Sequence, residues 1–202
     1  MAKFLRYRFG WLTALMLSVA PAAAENLVTN GDFETGDLTG WTRGGNWDVW
    51  NYVAHSTPYG LTPDTSGPNF GGTFFLTLSN YKDTNPGQVS QTIHTVANQL
   101  YDISAIWAND KANDGQYIKL LWNNVVVLSE DSASKTGWTR FNNVVVGTGS
   151  DTLVIQGISN VGYNGIDNIS VTAVPGPIAG AGLPALVSLL GFAAWRRRQQ
   201  AA

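Results

Sequence analysis

The chain has 202 residues, only 13% of them charged, about half the ~25% of an average soluble domain, while aromatic residues make up 11% and include eight Trp. It has no Cys, which excludes disulfide frameworks, zinc ribbons and thiol nucleophiles, and its two His (His55 and His94) are too few for a His-rich metal site. The net charge of −2 averages unlike segments: Lys3, Arg6, Arg8 and Arg196 to Arg198 sit at the ends, so the middle sets six basic against fourteen acidic residues, a net −8 that makes nucleic acid a poor partner.

In chain order, the first element reads as a secretory signal spanning residues 1–24. Lys3, Arg6 and Arg8 form the positive region, Gly10 to Ala20 the apolar run, and Pro21-Ala-Ala-Ala24 the small-residue exit, with cleavage by signal peptidase expected after Ala24.

Residues 25–173 show no sustained helical period. Short alternating runs are separated instead by Gly, Asn, Asp and Pro, the pattern of an antiparallel sandwich or barrel. A first strand is expected near Asn26 to Val28, and another over Thr73 to Leu78. Val89 to Val96 alternates with Val89, Gln91, Ile93 and Thr95 on one face, and Tyr101 to Trp107 groups Tyr101, Ile103, Ala105 and Trp107. Tyr117 to Trp122 and Val125 to Leu128 are joined by Asn123-Asn124, a pair that tolerates the positive φ of a type I′ hairpin. Trp138 to Val146, Thr152 to Ile158 and Ile166 to Val174 complete an all-β jelly-roll sandwich.

The closing segment, residues 174–202, is a third address-like element. Val174-Pro175-Gly176-Pro177 breaks the chain, Ile178 to Trp195 carries no charge over eighteen residues, and Arg196-Arg197-Arg198 follows at once. Eighteen apolar residues are at the lower limit for a membrane helix, and the Arg cluster would hold the tail in the cytoplasm with the body outside. The order of Pro motif, apolar span and Arg cluster resembles the PEP-CTERM sorting signal, here in a Val-Pro-Gly-Pro variant. That resemblance implies recognition by an exosortase, passage through an inner-membrane intermediate with the body on the periplasmic side, and delivery to the cell surface or extracellular matrix.

The middle carries a second resemblance. Asn26-Leu-Val-Thr-Asn-Gly-Asp-Phe-Glu34 with Gly40-Trp41, then Gly137-Trp-Thr-Arg-Phe141, then Asp167-Asn-Ile-Ser-Val171, look like a galactose-binding-like jelly roll of the kind found in carbohydrate-binding modules. It implies that the two ends of the sandwich meet at a structural calcium, with the Asp32 carbonyl, the Glu34 carboxylate and the Asp167 carboxylate as ligands. These oxygen donors suit calcium; the alternative is that both carboxylates bond turn backbone. Asp110 to Gly115 resembles an EF-hand start but has Ala112 at the third position and Leu121 at the twelfth.

No catalytic set emerges: neither His lies in a motif, Gly-x-Ser-x-Gly is absent, and a carboxylate pair among fourteen acids carries no information by itself. Aromatic residues are more telling. Trp47-Asp-Val-Trp-Asn-Tyr52 interleaves flat rings with amides and a carboxylate, the combination that covers the C–H face of a pyranose and bonds its hydroxyls. Trp47, Trp50 and Tyr52 are therefore the candidate sugar-binding residues; the competing assignment is that they fill the core. The sequence reads as an exported, non-enzymatic surface protein whose sandwich associates with extracellular polysaccharide. A purely structural or adhesive matrix protein is the alternative, and a polysaccharide-modifying enzyme near Asp48 or Asp64 the least favoured.

Overall fold

The computed structural model describes residues 24–65, 72–80, 84–111, 116–131 and 136–175. Both expected terminal helices, the signal helix and the membrane helix, therefore lie outside the described residues, as do Gly176, Pro177 and Arg196 to Arg198. Among the described residues no helix is long and apolar enough to cross a membrane.

Ten strands follow one another: β1 (Thr42–Gly45), β2 (Tyr52–Ala54), β3 (Phe75–Leu78), β4 (Gly87–His94), β5 (Leu100–Asn109), β6 (Tyr117–Trp122), β7 (Val125–Asp131), β8 (Thr136–Val146), β9 (Ser150–Ile158) and β10 (Asn164–Ala173). They form two five-stranded antiparallel sheets, β1-β4-β9-β6-β7 and β2-β3-β10-β5-β8. From β4 onward only the β6–β7 hairpin joins neighbours within a sheet; every other connection crosses to the opposite sheet.

The alternation in the sequence produces this layering. In β6, Ile118, Leu120 and Trp122 are buried while Tyr117, Lys119 and Leu121 are half-buried on the outer side. Val89 and Ile93 of β4, Leu153 and Ile155 of β9, and Ile103, Trp107, Ile166 and Val171 of the other sheet meet the same core. Each fully buried aliphatic side chain of this kind contributes about 1.5–3 kcal/mol. The Asn123-Asn124 turn has φ values of 50° and 65°, as a type I′ hairpin requires.

A second, smaller apolar cluster lies on the outer side of the second sheet, where Phe75 of β3 and Ala108 of β5 are covered by Ala54, Leu61 and Trp138. Trp138 packs edge-on against Phe75 and donates its indole N–H to the Thr62 carbonyl at 2.7 Å.

Three expectations need adjustment. Residues 26–28 are not a ladder strand. Leu27 donates to Val171 (2.9 Å), but the Asn26 side chain takes over the next positions, accepting from the Val171 N–H and donating to the Ile169 carbonyl. The reason lies in β10, whose bulge between Asp167 and Ser170 interrupts regular pairing. The strand expected from Thr73 starts at Phe75, since the Thr73 and Phe74 N–H groups are taken by Glu34. Strands β1 and β2 carried no signal: Thr-Arg-Gly-Gly and Tyr-Val-Ala are too short to show a period.

The register defines two ends. At one, Asn164 pairs with Leu78 and Asn109 and donates to the carbonyls of Tyr117 and Ile158. At the other, Leu100 pairs with Val146, and the Trp122 indole N–H reaches the Val146 carbonyl.

Candidate functional site

The loop 46–51 crowns the Asn164 end and is pinned by a buried polar network. One Asp48 carboxylate oxygen accepts the Trp50 N–H (2.9 Å) and the Asn51 amide (2.7 Å), the Asx-type turn that the Asp-x-x-Asn spacing permits. Asn51 is 3% exposed; its amide also donates to Asn80, and its carbonyl accepts the Ser79 N–H. Asn80 in turn donates to the Asn46 and Asn85 carbonyls. Ring placement is thus set by fully partnered amides rather than by a mobile loop.

The three candidate sugar-binding rings divide between two adjacent concavities. Trp47 and Tyr52 line a groove of about 560 Å³ together with Asp37, Arg43 and Asp48. Trp47 packs partly on the main core, with the Arg43 guanidinium 5.3 Å from its ring centroid. Thr39, through its hydroxyl and its backbone N–H, and then Thr35 hold the Asp37 carboxyl below its ordinary value, so it is an anionic acceptor at the groove rim. Tyr52 also packs against the smaller apolar cluster.

Trp50 turns the other way, into a depression of about 260 Å³ that it shares with Tyr59, Ser79, Val161 and Tyr163. Trp50 is 43% and Tyr59 50% exposed. Buried Tyr163 lines the same depression and packs against the rings of Tyr52 and Tyr59, at 6.0 and 6.3 Å. Burial, reinforced by Tyr52, Asp110 and Tyr59, pushes the Tyr163 phenol up, so it stays protonated. The Tyr59 loop is held by Asp110, which accepts from the Thr57 hydroxyl and from the Tyr163 N–H. Gly60, at φ +89°, makes the tight return that closes this loop.

Sequence reasoning singled out Trp47, Trp50 and Tyr52 but missed Tyr163, Val161 and Asp110. These arrive from segments fifty to more than a hundred residues downstream, and no local spacing announces their meeting.

The carboxylates expected at the calcium position lie around the β10 bulge. Glu34 accepts the Thr73 and Phe74 N–H groups on one oxygen, at 2.7 and 2.9 Å. Asp167 is 2% exposed and accepts the Asn168 N–H on Oδ1 at 2.7 Å. Burial pushes its carboxyl up to about 8; Asn168 opposes this, while the negative charges of Glu34, Asp32 and Asp64 add to it. The Asp32 side chain accepts the Glu34 N–H at 3.4 Å. These acids lie within one another's field, and each also bonds backbone. Among the described residues, no group of three or more His, Asp or Glu side chains is close enough to hold a metal ion. A cation here would rely on backbone carbonyls, as the inclusion of the Asp32 carbonyl already supposes.

Of the sorting-signal residues, Val174 and Pro175 are described. Val174 extends the β10 pairing, its N–H to Leu100 and its carbonyl to the Gln99 amide, and Pro175 is the last described residue.

No protein-family profile matches the chain, and no curated protein sequence matches it. Solved structures do. TmCBM61, a carbohydrate-binding module determined with β-1,4-galactotriose, superposes with a TM-score of 0.54 at 18% identity, covering 75% of this chain and 100% of that one. The enzymatically active domain of bacteriophage CBA120 tailspike protein 4 gives 0.53 at 15% identity, over 74% of this chain and 21% of that one. The K3 cleaved adhesin domain of Lys-gingipain from Porphyromonas gingivalis gives 0.51 at 13% identity, over 75% and 98%. At these identities the likeness is one of fold: this chain has the two-sheet antiparallel sandwich of carbohydrate-binding modules. Because a tailspike enzyme domain contains the same sandwich, its chemistry must be argued from the site.

Proposed function

We propose that this protein is exported and binds polysaccharide outside the cell, through the two aromatic concavities that flank loop 46–51. The observation that carries this reading is the back-to-back placement of Trp47 and Trp50 on one rigidly pinned loop, with Tyr52 and Tyr59 beside them and Asp37, Asp48 and Arg43 at the rim. Aromatic faces cover the C–H faces of pyranose rings, and the rim groups bond hydroxyls. Two adjoining surfaces suit a chain of sugars better than a single one. The fold shared with a module solved with β-1,4-galactotriose supports a carbohydrate ligand; it does not name the sugar.

The flanking segments complete the proposal: removal of residues 1–24 by signal peptidase, a transient inner-membrane span after Pro175, and processing by an exosortase at the Val174-Pro175-Gly176-Pro177 motif. We further infer a structural calcium held by the free oxygens of Glu34 and Asp167 and the Asp32 carbonyl, which would neutralise acids that otherwise repel. In this reading the protein is a binding module, not a catalyst.

The test is affinity electrophoresis in gels containing galactan, xylan or the native exopolysaccharide. Retardation by one of them, weakened about tenfold (~1.4 kcal/mol) by Trp50→Ala or Tyr59→Ala, is expected. Unretarded migration in every gel would favour a structural or adhesive matrix protein.

A further inference from the structure

The exposed apolar side chains of the described residues fall into two sets at opposite ends of the sandwich. Val49, Trp50, Tyr59 and Val161 belong to the sugar-binding end. Val96, Leu100, Val125, Val126, Val144 and Val146 gather at the Leu100 end. The second set is purely aliphatic, and backbone pairing links the elements that carry it. Leu100 pairs with Val146, and Val174 bonds the Leu100 carbonyl from the other side. Val125 pairs with Trp122, whose indole bonds the Val146 carbonyl. Val96 sits on the β4–β5 turn, which the Asn98 N–H fastens to the Gly147 carbonyl at 2.8 Å. Val96 (67% exposed) and Val125 (65%) are the tips of two turns that point out of this end.

No Lys or Arg lies on the turns that form it, residues 95–99, 123–124 and 147–149. Two acids adjoin them: Asp151 at the start of β9 is tied up by Thr95, Asn123 and Thr148, and half-buried Asp102 pairs with Val144 on the face that carries Leu100 and Val146. A cation-free end with this many exposed aliphatic side chains marks a contact with a protein or a membrane.

The chain itself decides between them. Val174 and Pro175, the last described residues, lie at this end, and the uncharged eighteen-residue run begins three residues after Pro175, at Ile178. Three extended residues span ~10 Å. If that run crosses the inner membrane, which is the reading given above and on which this inference rests, the Leu100 end must lie within about that distance of the bilayer surface.

We propose that the Leu100 end is a membrane-seating surface, on which the Val96 and Val125 tips enter the interfacial region of the bilayer that holds the C-terminal segment. The partner is the lipid surface itself, met through apolar contact rather than through anionic headgroups, since the surface offers no cations. Seated this way, the sandwich presents Trp50 and Tyr59 away from the membrane.

The absence of Cys makes the test direct. Full-length protein carrying Val96→Cys, Val125→Cys or Tyr59→Cys is labelled with an environment-sensitive fluorophore and reconstituted into phosphatidylcholine vesicles containing nitroxide-bearing lipids. Labels at 96 and 125 are expected ~5–10 Å inside the interface and strongly quenched, with the label at 59 unquenched. Equal, weak quenching at all three positions, in protein that resists carbonate extraction, would overturn the seat while leaving the anchor intact. Extraction by carbonate would instead remove the anchor, and the seat with it. Labels at 96 and 125 already shielded before lipid is added would show that the tail or a second copy covers this end, and would also overturn the proposal.

Discussion

The amide nitrogen of Asn51 lies 2.7 Å from the carbonyl oxygen of Asn80, both side chains buried, and through this pair the loop bearing Trp47 and Trp50 is fastened to the end of β3. Asn80→Ala would remove the bond to Asn51 and the two bonds that Asn80 donates to the Asn46 and Asn85 carbonyls. Each net hydrogen bond is worth ~0.5–1.5 kcal/mol, so a loss of roughly 3 kcal/mol is expected in urea denaturation, together with weakened sugar binding. An unchanged midpoint would mean that the loop is not held from β3.

Trp50 should behave oppositely. With 43% of its surface exposed and its placement set by the Asp48 turn, Trp50→Ala should change stability by no more than about 1 kcal/mol while removing a sugar-stacking face. Binding and melting measured on one preparation separate the two effects; a large drop in melting temperature would show that the ring is structural.

Asp167 makes stability depend on pH. Its folded value of about 8 lies above the unfolded value near 4, so the folded chain keeps a proton that the unfolded chain releases. In chelator, this group's contribution is therefore neutral below pH 4, falls by about 1.4 kcal/mol per pH unit between pH 4 and 8, and levels off above. Calcium would ionise Asp167 in the folded state and abolish that fall, so the melting-temperature gain from calcium should grow as pH rises from 5 to 8. Melting curves that coincide with and without calcium at every pH would eliminate the proposed ion.

The β6–β7 hairpin offers a local test. Asn124 holds φ 65°, a conformation that costs a residue such as Ala about 1–2 kcal/mol more than Gly. Asn124→Ala should lower stability by ~1 kcal/mol, and Asn124→Gly should leave it nearly unchanged. Asn123 is unsuitable for this comparison because its side chain also bonds Asp151 and Thr152.

These residues also show what could be read before the fold was known. Strands β4 to β10 were legible because each is long enough for its two-residue period to show, and Asn123-Asn124 named its own turn. The short β1 and β2 had no such pattern, and the apolar look of Leu27-Val28 suggested a ladder that Asn26 replaces with side-chain bonds. At the site, Trp47, Trp50 and Tyr52 stood out because they are close in sequence, yet sequence proximity concealed that they face two concavities. Tyr163, which packs against Tyr52 and Tyr59, could not be found without the fold that returns β10 to this end.

The most direct measurement is a titration of the ¹⁵N-labelled protein with oligosaccharides of the polysaccharide it binds, observed at the backbone N–H, side-chain amide and Trp indole N–H groups. The account predicts that the Trp47 and Trp50 signals move while those of Trp107 and Trp122, buried in the core, stay in place. Shifts confined to residues of the outer face of the first sheet, such as Tyr117, Gln88 and Gln156, or no shift at all, would contradict it.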